Sequence, residues 1–96
     1  MTKNDIIEIL RDYKREVAER YGLLDIGVFG SVARDEFAEG SDVDVVVRIV
    51  KPDLFMLAGI KDELEQRLRR PVDVVTYRND MNRFLKQTID SEAVYA

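Results

Sequence analysis

The chain has 96 residues, 19 acidic against 15 basic side chains and a net charge of −4, and it contains no cysteine, histidine or tryptophan. That inventory limits it to one domain, residues 1–96, with a small core, and it excludes disulfide frameworks, zinc fingers, thiolate or imidazole chemistry and Ser-His-Asp triads. Any metal site must be built from oxygen, which favours hard cations such as Mg²⁺ or Mn²⁺, and the acidic balance argues against direct binding to nucleic-acid phosphate.

In chain order, the first segment predicts a helix. Thr2 is placed to cap it, with Asp5 three residues on as the partner in a capping box. Ile6, Ile7, Ile9, Leu10, Tyr13, Val17 and Ala18 recur at helical spacing, and Gly22 suits the left-handed position that ends a helix. Leu23 to Phe29 reads as a strand closed by glycine. Gly30-Ser31 reads as a turn, with Ser31 capping a short helix over Val32 to Phe37. Asp42 to Ile49 is the clearest strand; its run Val45-Val46-Val47 suits a strand covered on both faces. Asp53 predicts the cap of a helix over Leu54 to Arg69, which Pro71 cannot continue. Val72 to Tyr77 reads as a third strand. Asn79 or Asp80 starts a last helix bearing Met81, Phe84, Leu85 and Ile89, and Ser91 to Ala96 form a tail that packs or frays.

This order predicts an α/β (α+β) fold: a small mixed sheet of three strands or slightly more, flanked by helices. The connection between the first two strands, residues 30–41, leaves their relative direction open. Hydrophobic residues at 46% suffice for a core. No apolar run is long enough to span a membrane, and the first ten residues lack the pattern of a signal peptide. The expected setting is cytoplasmic.

The chemistry centres on carboxylates. Asp42 and Asp44 stand two apart on a predicted strand and so project from one side, with Val43, Val45 and Val47 opposite. Two adjacent negative charges on an apolar strand are costly unless neutralised, and a divalent cation would neutralise them. Asp73 interrupts the third strand in the same manner. If the strands are neighbours, three carboxylates converge as two-metal phosphoryl and nucleotidyl transfer requires. Gly30 allows a phosphate to approach the backbone, Ser31 adds a hydroxyl, the helix start adds free N–H groups, and Arg34 lies one turn on. Taken singly, each has an ordinary explanation: a turn, a solvated loop end, a surface ion pair between Arg34 and Asp35 or Glu36. Their order and spacing carry the argument.

Gly30-Ser31-Val32-Ala33-Arg34 followed by Ser41-Asp42-Val43-Asp44-Val45 closely resembles the signature of the minimal nucleotidyltransferase family, part of the polymerase-β-like nucleotidyltransferase superfamily. That pattern reads Gly-Ser-x-Ala-Arg-Gly, a spacer, then Ser-Asp-x-Asp-Leu. Asp73 matches the third acidic position, and Ile89 to Tyr95 is similar to the family's usual ending. Asp35 departs from the pattern, standing where the family has glycine; placed at the N-terminal end of a helix, it would act on the helix dipole.

The resemblance implies the nucleotidyltransferase fold and an Mg²⁺-dependent enzyme. Relatives of this size act as antitoxins that transfer AMP from ATP to a tyrosine hydroxyl of a HEPN-domain ribonuclease toxin, so a hetero-oligomer with such a toxin is implied. Asp42 and Asp44 would hold both Mg²⁺ ions. Asp73 would complete the second site and help deprotonate the acceptor. Gly30 and Ser31 would hold the β- and γ-phosphates, Arg34 would support them, and Ser41 belongs to the same nucleotide-binding group. Two other readings remain: an antitoxin acting by binding alone, and a transferase acting on a small hydroxyl compound such as an aminoglycoside.

Overall fold

The computed structural model describes Met1–Ala96. Helix α1 (Lys3–Tyr21) carries the capping box at its start: the Asp5 N–H donates to Thr2 Oγ1 at 3.1 Å, and the Thr2 N–H donates to Asp5 Oδ2 at 2.8 Å. Gly22 closes it at φ 63°, a left-handed conformation that costs glycine little. Strand β1 (Leu23–Phe29) then runs into α2 (Gly30–Ala33). Strand β2 (Val43–Ile49), helix α3 (Leu54–Leu68), strand β3 (Val72–Thr76), helix α4 (Arg83–Glu92) and the short strand β4 (Val94–Tyr95) follow.

The sheet order is β3-β2-β1-β4. β1 pairs antiparallel with β2 and with β4, and β2 pairs parallel with β3 across the α3 crossover. The four-stranded mixed sheet agrees with the expected fold class, and the direction left open between the first two strands is antiparallel. Of the expected tail Ser91 to Ala96, Ser91 and Glu92 instead complete α4 and Val94–Tyr95 pack as β4, and the Ala96 N–H donates to Ile26 O at 2.8 Å.

Strand alternation gives the sheet two faces. Ile26 and Val28 of β1, Val43, Val45 and Val47 of β2, and Val72 of β3 point to the back face. There α1 (Ile6, Leu10, Tyr13, Val17) and α3 (Ile60, Leu64, Leu68) cover them, and all these residues lie in one buried cluster. On the front face, Phe29 and Val46 pack with Ile89 of α4. A register shift between Leu23 and Asp25 lets Leu23 join the back core while Asp25 turns forward.

Four expectations need correction. Helix α2 begins at Gly30 and ends at Ala33, not over Val32 to Phe37, and its N-cap is Phe29, with no side-chain cap bond. Ser31 therefore lies inside the first turn and is not the cap. Asp35 follows the C-cap Arg34 at φ 59°, so it stops the helix at its C-terminal end instead of acting on an N-terminal dipole. A left-handed backbone explains why glycine suits that position. The last helix starts at Arg83, because the Asn82 side chain accepts the Leu85 N–H at 3.0 Å, and neither Asn79 nor Asp80 caps it. β2 also begins at Val43, which leaves Asp42 just ahead of the strand.

Candidate functional site

The front face reads as rows across the strands. At one end Phe29, Asp44 and Asp73 are register partners; next come Gly27, Val46 and Val75; then Asp25 and Arg48. Asp44 and Asp73 thus stand side by side on neighbouring strands, which places their Cα atoms roughly 4.8 Å apart. Asp44 is half-buried; Asp42 and Asp73 are exposed. Burial pushes the Asp44 carboxyl above the usual carboxylate range, the Asp73 and Asp42 carboxylates push it further, and Arg34 opposes them.

The β1–α2 turn lies against this pair. Gly30 has φ 71°, and a Cβ on it would overlap Asp44 Oδ2 and stand 3.3 Å from Asp44 Cγ. Glycine suits the left-handed backbone here and lets the turn sit against the carboxylate without displacing it. Ser31 is half-buried in the first turn of α2, whose leading N–H groups have no intrahelical acceptor.

Arg34 projects from the end of that helix. Its Nη1 donates to Glu92 Oε1 and Oε2 at 3.1 and 3.0 Å, and its Nε donates to Glu36 Oε2 at 3.2 Å. The Gly30 N–H also donates to Glu92 Oε1, at 3.2 Å. Of the ordinary pairings expected for Arg34, the one with Glu36 forms. Glu92 is the site residue that sequence reasoning missed. Its signals were its place in the Ile89 to Tyr95 stretch and an acid in the last turn of a helix, where the dipole disfavours negative charge.

Ser41 closes the loop ahead of the acids, accepting the Ala38 N–H at 2.9 Å and donating to Ala38 O at 2.6 Å. Its hydroxyl is thus occupied within the loop. The structure therefore brings Gly30, Ser31, Arg34, Asp44 and Asp73 to one end of one face, with Asp42 within electrostatic reach. No three acidic side chains gather closely enough to enclose a cation by themselves. An all-oxygen pair with a third acid nearby still fits Mg²⁺ in its chemistry, because Mg²⁺ usually takes one or two carboxylates and completes its shell with water and substrate phosphate.

The site is open. A cavity of about 600 Å³ lies beside the start of α1, lined by Thr2, Asp35, Phe37 and Arg70 among others, and one of about 390 Å³ lies at the far row between Arg48, Tyr77 and Tyr95. Neither is lined by Asp42, Asp44 or Asp73. No helix is long and apolar enough to cross a membrane.

A family model described as nucleotidyltransferase domain matches residues 10–96. The protein adenylyltransferase MntA of Thermococcus cleftensis is 36% identical over 96 residues, covering 99% of this chain and 96% of its own length. A Methanocaldococcus jannaschii protein, provisionally named a protein adenylyltransferase, is 35% identical over 95 residues, covering 98% and 97%. Among solved structures, one described provisionally as a minimal nucleotidyltransferase matches with a TM-score of 0.77 at 32% identity, covering 98% of this chain and 95% of that one. A toxin–antitoxin structure with AMP-PNP matches with a TM-score of 0.73 at 25% identity, covering 99% of this chain and 72% of that one.

Proposed function

The chain belongs to the nucleotidyltransferase domain family, and on that premise we propose that it is an antitoxin that transfers AMP from ATP to a tyrosine hydroxyl of a HEPN-type ribonuclease partner. The observation that carries this reading is the seating of the Gly30 turn on Asp44, with Asp73 as the neighbouring register partner. A turn able to admit phosphate and a pair of acids able to hold cations then meet at one end of one face. Relatives named protein adenylyltransferase support the reaction class. The toxin–antitoxin neighbour with AMP-PNP supports ATP as co-substrate and a toxin as partner. The open site supports an acceptor delivered on another protein.

In this reaction Asp42, Asp44 and Asp73 would hold two Mg²⁺ ions, whose chemistry when bound would be to neutralise charge on the phosphates and the acceptor oxygen. Gly30 brings the backbone close to the β- and γ-phosphates, Ser31 offers its hydroxyl and N–H, and Arg34 offers its guanidinium. Asp73 takes the proton of the attacking tyrosine hydroxyl. A bond forms between that oxygen and the α-phosphorus as the bond to the β-phosphate oxygen breaks, and pyrophosphate leaves. Residues 1–96 act as one minimal catalytic unit.

The test is incubation with labelled ATP, Mg²⁺ and a HEPN-domain protein encoded beside this chain. Label should appear on the partner's tyrosine and vanish in Asp42→Asn/Asp44→Asn. Neutralisation of the ribonuclease that survives the double change would overturn the catalytic reading in favour of binding alone. Transfer to an aminoglycoside without a protein partner would favour a small acceptor.

A further inference from the structure

We infer that Glu92 is the positioning residue that sets the Gly30–Arg34 loop for a triphosphate, an inference that rests on the phosphate role proposed for that loop. Glu92 is the last residue of α4, yet its partners lie 62 and 58 residues away in sequence. The site is unfavourable to an acid by itself. The C-terminal end of a helix carries partial negative charge, α4 has no basic residue in its last turn, and the Glu92 side chain is only 25% exposed. What offsets that cost is the loop: the Gly30 N–H and both carboxylate contacts from Arg34 Nη1.

The grip has a geometric result. Arg34 is held through Nη1 by Glu92 and through Nε by Glu36, while its Nη2 has no protein partner. Glu36 is 66% exposed, and a pair so solvated holds weakly, so Glu92 is the principal anchor. A guanidinium is planar, and fixing two of its nitrogens fixes the direction of the third. Glu92 therefore leaves Nη2 as the free, oriented donor for a phosphate oxygen. The same carboxylate pins the Gly30 peptide where its left-handed turn meets Asp44. Glu92 acts through Arg34 and Gly30 and has no role at the reacting atoms.

The experiment is ATP binding in the presence of Mg²⁺, measured by titration calorimetry on the full chain, with the thermal midpoint recorded for each variant. Glu92→Gln keeps the size and an acceptor oxygen but loses the charge. It should weaken ATP binding roughly tenfold, about the value of one charge-assisted hydrogen bond. Glu92→Ala should weaken it further. In an Arg34→Ala background, Glu92→Ala should weaken binding less than it does in the unaltered chain, because only the route through the Gly30 N–H remains. Unchanged ATP affinity with a lowered midpoint would make Glu92 a purely structural tie and overturn the inference. Tighter binding in Glu92→Gln would make the carboxylate an internal competitor of phosphate and also overturn it. Failure of the unaltered protein to bind ATP would instead remove the phosphate role of the loop, a distinct result visible before any variant is made.

Discussion

Gly30→Ala tests the contact on which the site depends. Alanine at φ 71° costs about 1–2 kcal/mol in backbone strain. Its Cβ would also overlap Asp44 Oδ2 and lie 3.3 Å from Cγ, and crowding of this kind costs about 1–3 kcal/mol more. The sum, about 2–5 kcal/mol, is a large part of the roughly 5–14 kcal/mol available to a chain of this length. Asp44→Ala removes the overlapping oxygen and leaves Asp44 Cβ, 3.5 Å from the new methyl, at an ordinary contact distance. In that background Gly30→Ala should cost only the backbone strain. Urea titration of the four proteins, read as midpoints at constant slope, should therefore give a coupling of about 1–3 kcal/mol. Additivity within about 0.5 kcal/mol would refute the argument, because distant, independent sites behave that way.

Asp44→Asn should raise the thermal midpoint of the metal-free protein, since the amide removes a charge that burial, Asp73 and Asp42 all disfavour. The same causes set a pH sign: the folded state holds this proton more tightly than the unfolded chain, so metal-free stability falls as pH rises through the raised value, and Asp44→Asn lacks that loss. Mg²⁺ should raise the midpoint of the unaltered protein, through a gain in stability of roughly 2.7 kcal/mol at a hundredfold excess over Kd, and leave Asp44→Asn unmoved. Asp35→Gly should be at least as stable as the unaltered chain, whereas Asp35→Ala should fall below Asp35→Gly by about 1 kcal/mol, because φ is 59° there; equal midpoints for the two would contradict this. Gly27→Ala would place a Cβ 2.7 Å from Val94 O, so it should detach β4 and speed hydrogen exchange at the Ala96 amide; unchanged exchange would show that the edge tolerates the methyl.

Much of the fold was legible because its signals are local. Thr2 with Asp5, Gly22 and Asp53 each mark a boundary within four residues of what they cap, and all three form as read. The Val45–Val47 run identifies β2 by its own composition. Pairing is not local. That Asp44 faces Asp73 depends on β2 and β3 lying parallel in one register, and neither strand contains that information alone. Near residue 80 the sequence offers several caps in succession, and the choice of Asn82 follows from how α4 seats Ile89 and Leu85 on the sheet. Gly30 was readable as a turn, but its approach to Asp44 was not, and Glu92 escaped notice because an ion pair spanning 58 residues leaves no periodic trace.

The alternation of the strands gives neighbouring residues opposite duties. Along β2, Val43, Val45 and Val47 point into the core while Asp44 looks outward beside Asp73. Mutational tolerance at this end of β2 should then follow parity: Val43 and Val45 govern how much folded protein a cell retains, and Asp44 between them governs what that protein can do. The two kinds of damage become separable by a single step along the chain. The arrangement also removes any half-working alternative, because a slip of one residue in β2 would turn the Asp44 carboxylate into the core. A chain that pairs its strands wrongly cannot display the acids at all, so exposure of the site reports that folding has reached the right register.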